Sequence, residues 1–315
     1  MSAQIMPTNY HGILLPVTTP FAANEEIDRR GLVENLEKWN TTGITGYVIL
    51  GSTGERVNLD EREYVEVIET ARLAVPKEFA FIAGAGQQST RGTIKEIEVA
   101  ARAGAEAVLV ITPHYYRAAI SQAALVSHYT AVADAASVPI ILYSMPDLTG
   151  ITIEPETAAR LSAHENIIGI KDSSAEVEKL AETVRLVPDN FAVMIGNGTV
   201  FSEALQAGAR AGILAVACVA PQLSVAIYDA VKADDLDRAT ALQSALTPLA
   251  RAVTKTYGIG GLKAALEMTG YAGGAVRAPL QRPSEGARAE IAELLRAAIA
   301  APRAAPLAKV SEARP

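Results

Sequence analysis

Short apolar runs, each followed by a stretch with helical spacing, recur along the chain. They are Gly12–Thr18, Gly46–Leu50, Phe79–Ala83, Ala107–Ile111, Ile140–Tyr143, Ile167–Ile170, Ala192–Ile195 and Gly212–Val216. These runs are dense in Val, Ile and Leu, the pattern of strands covered on both faces. The intervening segments carry helix start signals. Asp28 precedes Leu32, Leu36 and Trp39, which lie near helical spacing, and Asp60 followed by Glu63 makes a capping box. Ser89, Ser121 and Thr199 also occupy N-cap positions. Eight strand–helix units in succession predict an α/β fold, a closed (β/α)8 TIM barrel. An open doubly wound sheet is the competing architecture. It would more often show a GxGxxG turn after the first strand, and this chain has none there.

After about Val219 the strand signal stops. A barrel catalytic domain over 1–221 is therefore expected to be followed by a helical extension over 222–300, with an amphipathic helix at Asp235–Tyr257. The last segment, 301–315 (APRAAPLAKVSEARP), has little to bury and is expected to stay disordered. The 315 residues suit one barrel of roughly 250 plus such an extension, although two ordinary domains would also fit the length.

Composition narrows the function classes. The net charge of -7 and the lack of any Lys/Arg-rich run argue against a nucleic-acid partner. No apolar run reaches the ~20 residues of a membrane span, and the first residues lack the basic-then-apolar order of a signal peptide. A cytoplasmic protein is expected. The single cysteine, Cys218, sits in an apolar run and reads as a packing residue. The four histidines, His11, His114, His128 and His164, form no HxxxH or HxH pair, so no metal is expected. No GxSxG elbow marks a serine hydrolase.

In such barrels the active site lies at the C-terminal ends of the strands, so the polar residues there are the candidates. The sixth run leads into Gly169-Ile170-Lys171-Asp172-Ser173. Burial disfavours the charged form of an amine, and a neutral amine is what attacks a carbonyl to form a Schiff base. Lys171 could equally pair with Asp172 at the rim. The fifth run ends in Tyr143, whose hydroxyl could relay protons or simply be a satisfied rim tyrosine. The second run ends in Gly51-Ser52-Thr53-Gly54-Glu55, a loop able to aim N–H groups and hydroxyls at a carboxylate, or else an ordinary turn. The fourth is followed by Thr112-Pro113-His114-Tyr115-Tyr116-Arg117, an aromatic and basic cluster in a chain with only 5% aromatics. It fits a site or a subunit contact. The seventh is followed by Gly196-Asn197-Gly198, where backbone could approach a ligand.

Together these segments resemble the dihydrodipicolinate synthase and N-acetylneuraminate lyase superfamily, from about His11 to Gln281. The motifs are the GxTGE-type loop at Gly51–Glu55, TPxY at Thr112–Tyr115, YxxP at Tyr143–Pro146 and GIKD at Gly169–Asp172. The resemblance implies a lyase, a class I pyruvate aldolase with Lys171 as the Schiff-base lysine and Tyr143 as the proton relay. Ser52 would link Tyr143 to Tyr115. Thr53 and Ser52 would hold the pyruvate carboxylate, with Gly51, Ser173, Gly196 and Leu214 lining the pocket. It implies no cofactor beyond the covalent imine. It also implies a homo-oligomer, a dimer or tetramer, with Tyr115 reaching a neighbouring subunit's site. Within the superfamily, TPHYYRAAISQAALVSHYTAVAD, LYSMPDLTG and YGIGGLKAALEMTGYAGGAVRAPLQ look most like 4-hydroxy-2-oxoglutarate aldolase. Synthases of the lysine precursor typically carry arginine two residues after the YxxP proline, and here that residue is Leu148. A leucine offers no bidentate donors to a carboxylate. The alternatives are that synthase, which condenses pyruvate with aspartate semialdehyde, a lyase or dehydratase of a 2-oxo-3-deoxy sugar acid, and a non-catalytic 2-oxo acid-binding barrel.

Overall fold

The computed structural model describes residues 10–304. The apolar runs become β1 (Gly12–Pro16), β2 (Gly46–Ile49), β3 (Ala80–Ala85), β4 (Ala107–Ile111), β5 (Ile140–Ser144), β6 (Ile167–Asp172), β7 (Ala192–Ile195) and β8 (Ala211–Ile213). Each strand pairs in parallel with its sequence neighbour, and β1 pairs with β8, so the sheet closes on itself. This is the TIM barrel that the strand–helix repeat predicts, and closure excludes the open doubly wound sheet.

Two apolar layers explain why the strands show no polar alternation. Leu14, Val48, Ile82, Leu109, Ile141 and Met194 belong to one buried cluster, which fills the barrel. Their neighbours Ile13, Leu15, Ile49, Phe81, Val108 and Leu142 belong to another, packed beneath the helices. A strand dry on both faces leaves no side for polar residues. Two strand ends differ from expectation. The β1 ladder stops at Pro16, short of Thr18, and β8 stops at Ile213 because the chain turns into a 3₁₀ segment at Ala215–Cys218. Cys218 is fully buried, and its thiol donates to the Pro16 carbonyl at 3.3 Å.

The helix starts follow the polar signals with one correction. Asp28, Ser89 and Ser121 cap helices Arg29–Trp39, Thr90–Arg102 and Gln122–Ala135, and Asp60 with Glu63 closes a full capping box on Glu61–Ala74. Thr199 is not a cap. It lies inside the 3₁₀ turn Gly198–Val200, and Asn197 caps that turn by accepting from the Thr199 N–H at 3.0 Å and its hydroxyl at 2.8 Å. The asparagine stands two residues earlier and captures both donors.

Helix Pro221–Lys232 packs against β1 and completes the outer ring. Beyond it lie Leu236–Arg251, a π turn at Ala252–Thr256, and helices Gly258–Met268 and Glu285–Ala304. The amphipathic segment expected over Asp235–Tyr257 is thus capped by Asp235 and widens into the π turn over its final residues. The rest of the expected tail, 305–315, lies outside the described residues. Among the described residues no helix is long and apolar enough to cross a membrane.

One buried titratable group gives the fold a predictable pH response. His128 is 7% exposed, its Nδ1 lies 2.9 Å from the Thr90 hydroxyl, and burial pushes its pKa down to about 4. The unfolded imidazole titrates near ~6.5, so between that value and about 4 the unfolded chain binds the extra proton. Stability therefore falls as pH falls through this window, by up to ~3 kcal/mol from this group. Urea unfolding at pH 7 and pH 4.5 measures the loss, and His128→Leu should shrink it. An unchanged pH slope in that variant would assign the effect elsewhere.

Candidate active site

The site begins with an irregularity in strand pairing. Ile140 pairs with Ile167, but Ile141 pairs with Gly169, so Ile168 is an extra residue on β6. Side chains alternate along a strand, so an extra residue exchanges the faces of everything after it. The shift brings Tyr143 opposite Lys171, and Ser144 opposite Asp172. Without it, Lys171 would register with Ser144 and turn away from Tyr143. The bulge thus aims the lysine at the barrel mouth.

Lys171 is 5% exposed, and its Nζ lies 4.3 Å from the centre of the Tyr143 ring. Among the described residues it has no carboxylate partner, because Asp172 turns to the Ser174 N–H at 2.8 Å. The pairing with Asp172 left open by the sequence is therefore not formed. Gly196 makes room for the lysine: a Cβ there would stand 2.6 Å from Lys171 Cε and 2.0 Å from Ser173 Oγ.

The Tyr143 hydroxyl lies 3.2 Å from the Ser52 hydroxyl, bringing β2 and β5 together. Burial pushes the phenol's pKa up, but the Lys171 amine and the hydrogen bonds of Ser52, Ser173 and Lys171 outweigh it and leave the pKa below the usual tyrosine value. An amine, a tuned phenol and two hydroxyls in one mouth can form an imine and move protons around it.

Gly51 and Thr53 flank Ser52 in a 3₁₀ turn over Ser52–Gly54. Two left-handed residues bracket this loop, Leu50 at φ 57° and Glu55 at φ 55°. Non-glycine residues in that region cost on the order of 1–3 kcal/mol each and persist where the surroundings hold them. Gly84 on β3 is one such support, since a Cβ there would meet the Leu50 carbonyl oxygen at 2.2 Å.

Other candidates lie further out. Tyr115 and Tyr116 are 76% and 72% exposed and pack edge to face. Leu214 is fully buried in the layer beneath the helices, so it can offer the mouth only backbone. Leu148 is 62% exposed on the short helix Pro146–Thr149. Arg117 reaches the turn that ends this helix: its Nη1 lies 2.8 Å from where a Cβ on Gly150 would stand. Among the described residues Arg117 has no carboxylate partner. No group of three or more His, Cys, Asp or Glu among the described residues could hold a metal.

Several residues that shape the mouth carry no signal in the sequence reading. Gln88 Oε1 accepts from the backbone N–H groups of His114 and Tyr115 at 2.9 and 2.8 Å and fixes the aromatic loop. Gln243 donates to the Gly198 carbonyl at 3.0 Å, and Lys255 pairs with Asp147 at 3.2 Å, so the C-terminal extension grips the loops after β7 and β5.

The profile of the Dihydrodipicolinate synthetase family matches residues 9–298. The chain belongs to this family. A family relative, the 4-hydroxy-tetrahydrodipicolinate synthase of Exiguobacterium sibiricum, is 36% identical over 91% of this chain and 97% of its own. A dihydrodipicolinate synthase from Bacillus anthracis superposes with a TM-score of 0.88 at 28% identity, covering 91% of this chain and 98% of that one. A prophage protein of the family from E. coli K12, solved in complex with pyruvate, superposes with a TM-score of 0.84 at 28% identity, covering 91% and 97%. As a member of the dihydrodipicolinate synthetase family the chain is a lyase. The narrower likeness to 4-hydroxy-2-oxoglutarate aldolase is not carried by these relatives, two of which bear the synthase name that the sequence reading placed second.

Proposed function

We propose that the chain is a Schiff-base lyase that cleaves 4-hydroxy-2-oxoglutarate into pyruvate and glyoxylate. The observation that carries the chemistry is the Lys171–Tyr143–Ser52 constellation, with the amine 4.3 Å from the ring centre and the two hydroxyls 3.2 Å apart. The Lys171 amine attacks the 2-oxo carbon, and the carbinolamine loses water to give a protonated imine. Tyr143 supplies and removes the protons. The bond between carbons 3 and 4 then breaks, and its electron pair flows into the imine to leave an enamine. Tyr143 takes the proton of the 4-hydroxyl as glyoxylate forms. Protonation of carbon 3 and hydrolysis release pyruvate and the free amine. Splitting one hard step into several easier ones is the gain from covalent catalysis. Ser52 and Thr53 hold the carboxylate next to the reacting carbon. Tyr115, exposed on each chain, reaches the site of a second copy in a dimer or tetramer and extends the hydroxyl relay.

Leu148 and Arg117 bear on how the second carboxylate of the substrate is held. Leu148 leaves the rim beside β5 without a carboxylate-binding group. The unpartnered Arg117 guanidinium supplies one from the β4 loop and holds the carboxylate that becomes glyoxylate. Arg117→Ala is expected to raise KM for 4-hydroxy-2-oxoglutarate by about 10–100-fold, since a hydrogen bond to a charged group contributes ~1.5–3 kcal/mol. Labelling by pyruvate should persist. An unchanged KM would place the second carboxylate elsewhere.

The names of the relatives favour a second reading, condensation of pyruvate with aspartate semialdehyde on the same lysine. Pyruvate release from 4-hydroxy-2-oxoglutarate, coupled to lactate dehydrogenase, decides between them when the condensation is run beside it on one preparation. Strong release with weak condensation supports the aldolase, and the reverse makes the chain a synthase.

A further inference from the structure

Glu55 ends the Gly51–Gly54 loop, and its side chain is drawn inward. Its Oε1 lies 2.5 Å from Lys263 Nζ, with the two side chains 1% and 2% exposed. Oε2 accepts from the Arg277 backbone N–H at 3.2 Å and from Asn58 Nδ2 at 3.3 Å. Lys263 stands in the apolar helix Gly258–Met268 of the C-terminal extension. It also donates to the Ala275 carbonyl at 2.6 Å and lies 4.4 Å from the centre of the Phe21 ring. Arg277 covers the same ring at 4.3 Å and forks onto Glu63, with 2.7 and 2.5 Å contacts. Burial pushes the Lys263 pKa down to about 8, with Glu55 opposing the shift.

A buried ion pair is weak evidence of stability, since apolar residues of similar volume often serve as well. This one has a specific local consequence. Glu55 is held left-handed at φ 55°, and its N–H closes the turn onto the Ser52 carbonyl at 3.2 Å. A strained residue persists where its surroundings hold it, and the surroundings here are Lys263, Arg277 and Asn58. We propose that Glu55 and Lys263 are positioning residues through which the C-terminal extension sets the Ser52–Thr53 loop to receive the carboxylate of the 2-oxo acid. The inference rests on the Schiff-base reading of Lys171.

The test measures the pyruvate concentration that half-saturates borohydride labelling, together with the maximal rate of labelling. It compares wild type, Glu55→Gln, Lys263→Met and the double variant. The single changes strand one buried charge and can lower stability, whereas the double variant removes both charges together. The expected result is a half-saturating concentration raised about tenfold or more in the double variant, with the maximal labelling rate within about threefold of wild type. A merely structural pair predicts that the double variant, once folded, recovers the wild-type value. Labelled wild type with an unmoved half-saturation in the folded double variant would overturn this inference alone. Unlabelled wild type would overturn the Schiff-base reading, and this inference with it.

Discussion

Lys171→Ala is expected to lose turnover by more than the ~10⁴-fold that removal of a general acid–base group costs at most, and to lose all labelling by pyruvate and borohydride. Among the described residues the amine is the one group at the mouth able to convert the 2-oxo carbon into an electron sink, so its removal is expected to close the covalent route. The variant should still fold. Lys171 has no carboxylate partner among the described residues, so no buried counter-charge is stranded. Near-wild-type melting with no turnover is therefore the expected pair of results. Residual turnover within tenfold of wild type would mean that the carbonyl is activated without an imine.

Tyr143→Phe is expected to lower kcat by about 10²–10⁴-fold, the range for a lost proton-transfer group. The hydroxyl sits 3.2 Å from Ser52, and its pKa is held below the ordinary tyrosine value against the effect of burial by Lys171 and by hydrogen bonds that include Ser52. The ring remains in the variant, so the packing of Lys171 against it is kept. Steady-state kinetics should show most of the loss in kcat with a small change in KM. A loss under tenfold would assign the proton relay to another group.

The barrel was legible because its cause is local. Dry strands must be apolar on both faces, and Val, Ile and Leu runs between capped helices report that directly. The lysine, the tyrosine and the glycine-bracketed hydroxyls were legible as types placed at strand ends. Their mutual geometry was not. It depends on the extra residue Ile168, which looks like any other strand isoleucine yet turns Lys171 toward Tyr143. Thr199 failed as a cap because its own N–H and hydroxyl both donate to Asn197, two residues earlier. Glu55 and Lys263 stand far apart in sequence, and only tertiary packing joins them. A lysine inside the apolar stretch GIGGLKAALEM was the one available hint of a buried partner. Gln88 and Gln243 gave no hint, because their work is done on distant backbone groups.

The most direct test of the central claim is to locate the label. The protein is reduced with borohydride in the presence of pyruvate, digested, and the modified lysine is assigned by mass spectrometry. Among the described residues two lysines are deeply buried, Lys171 at 5% and Lys263 at 1% exposure, so the assignment is informative. One pyruvate-derived adduct per chain is expected, on Lys171. An adduct on Lys263, or none on the folded wild-type protein, would contradict it.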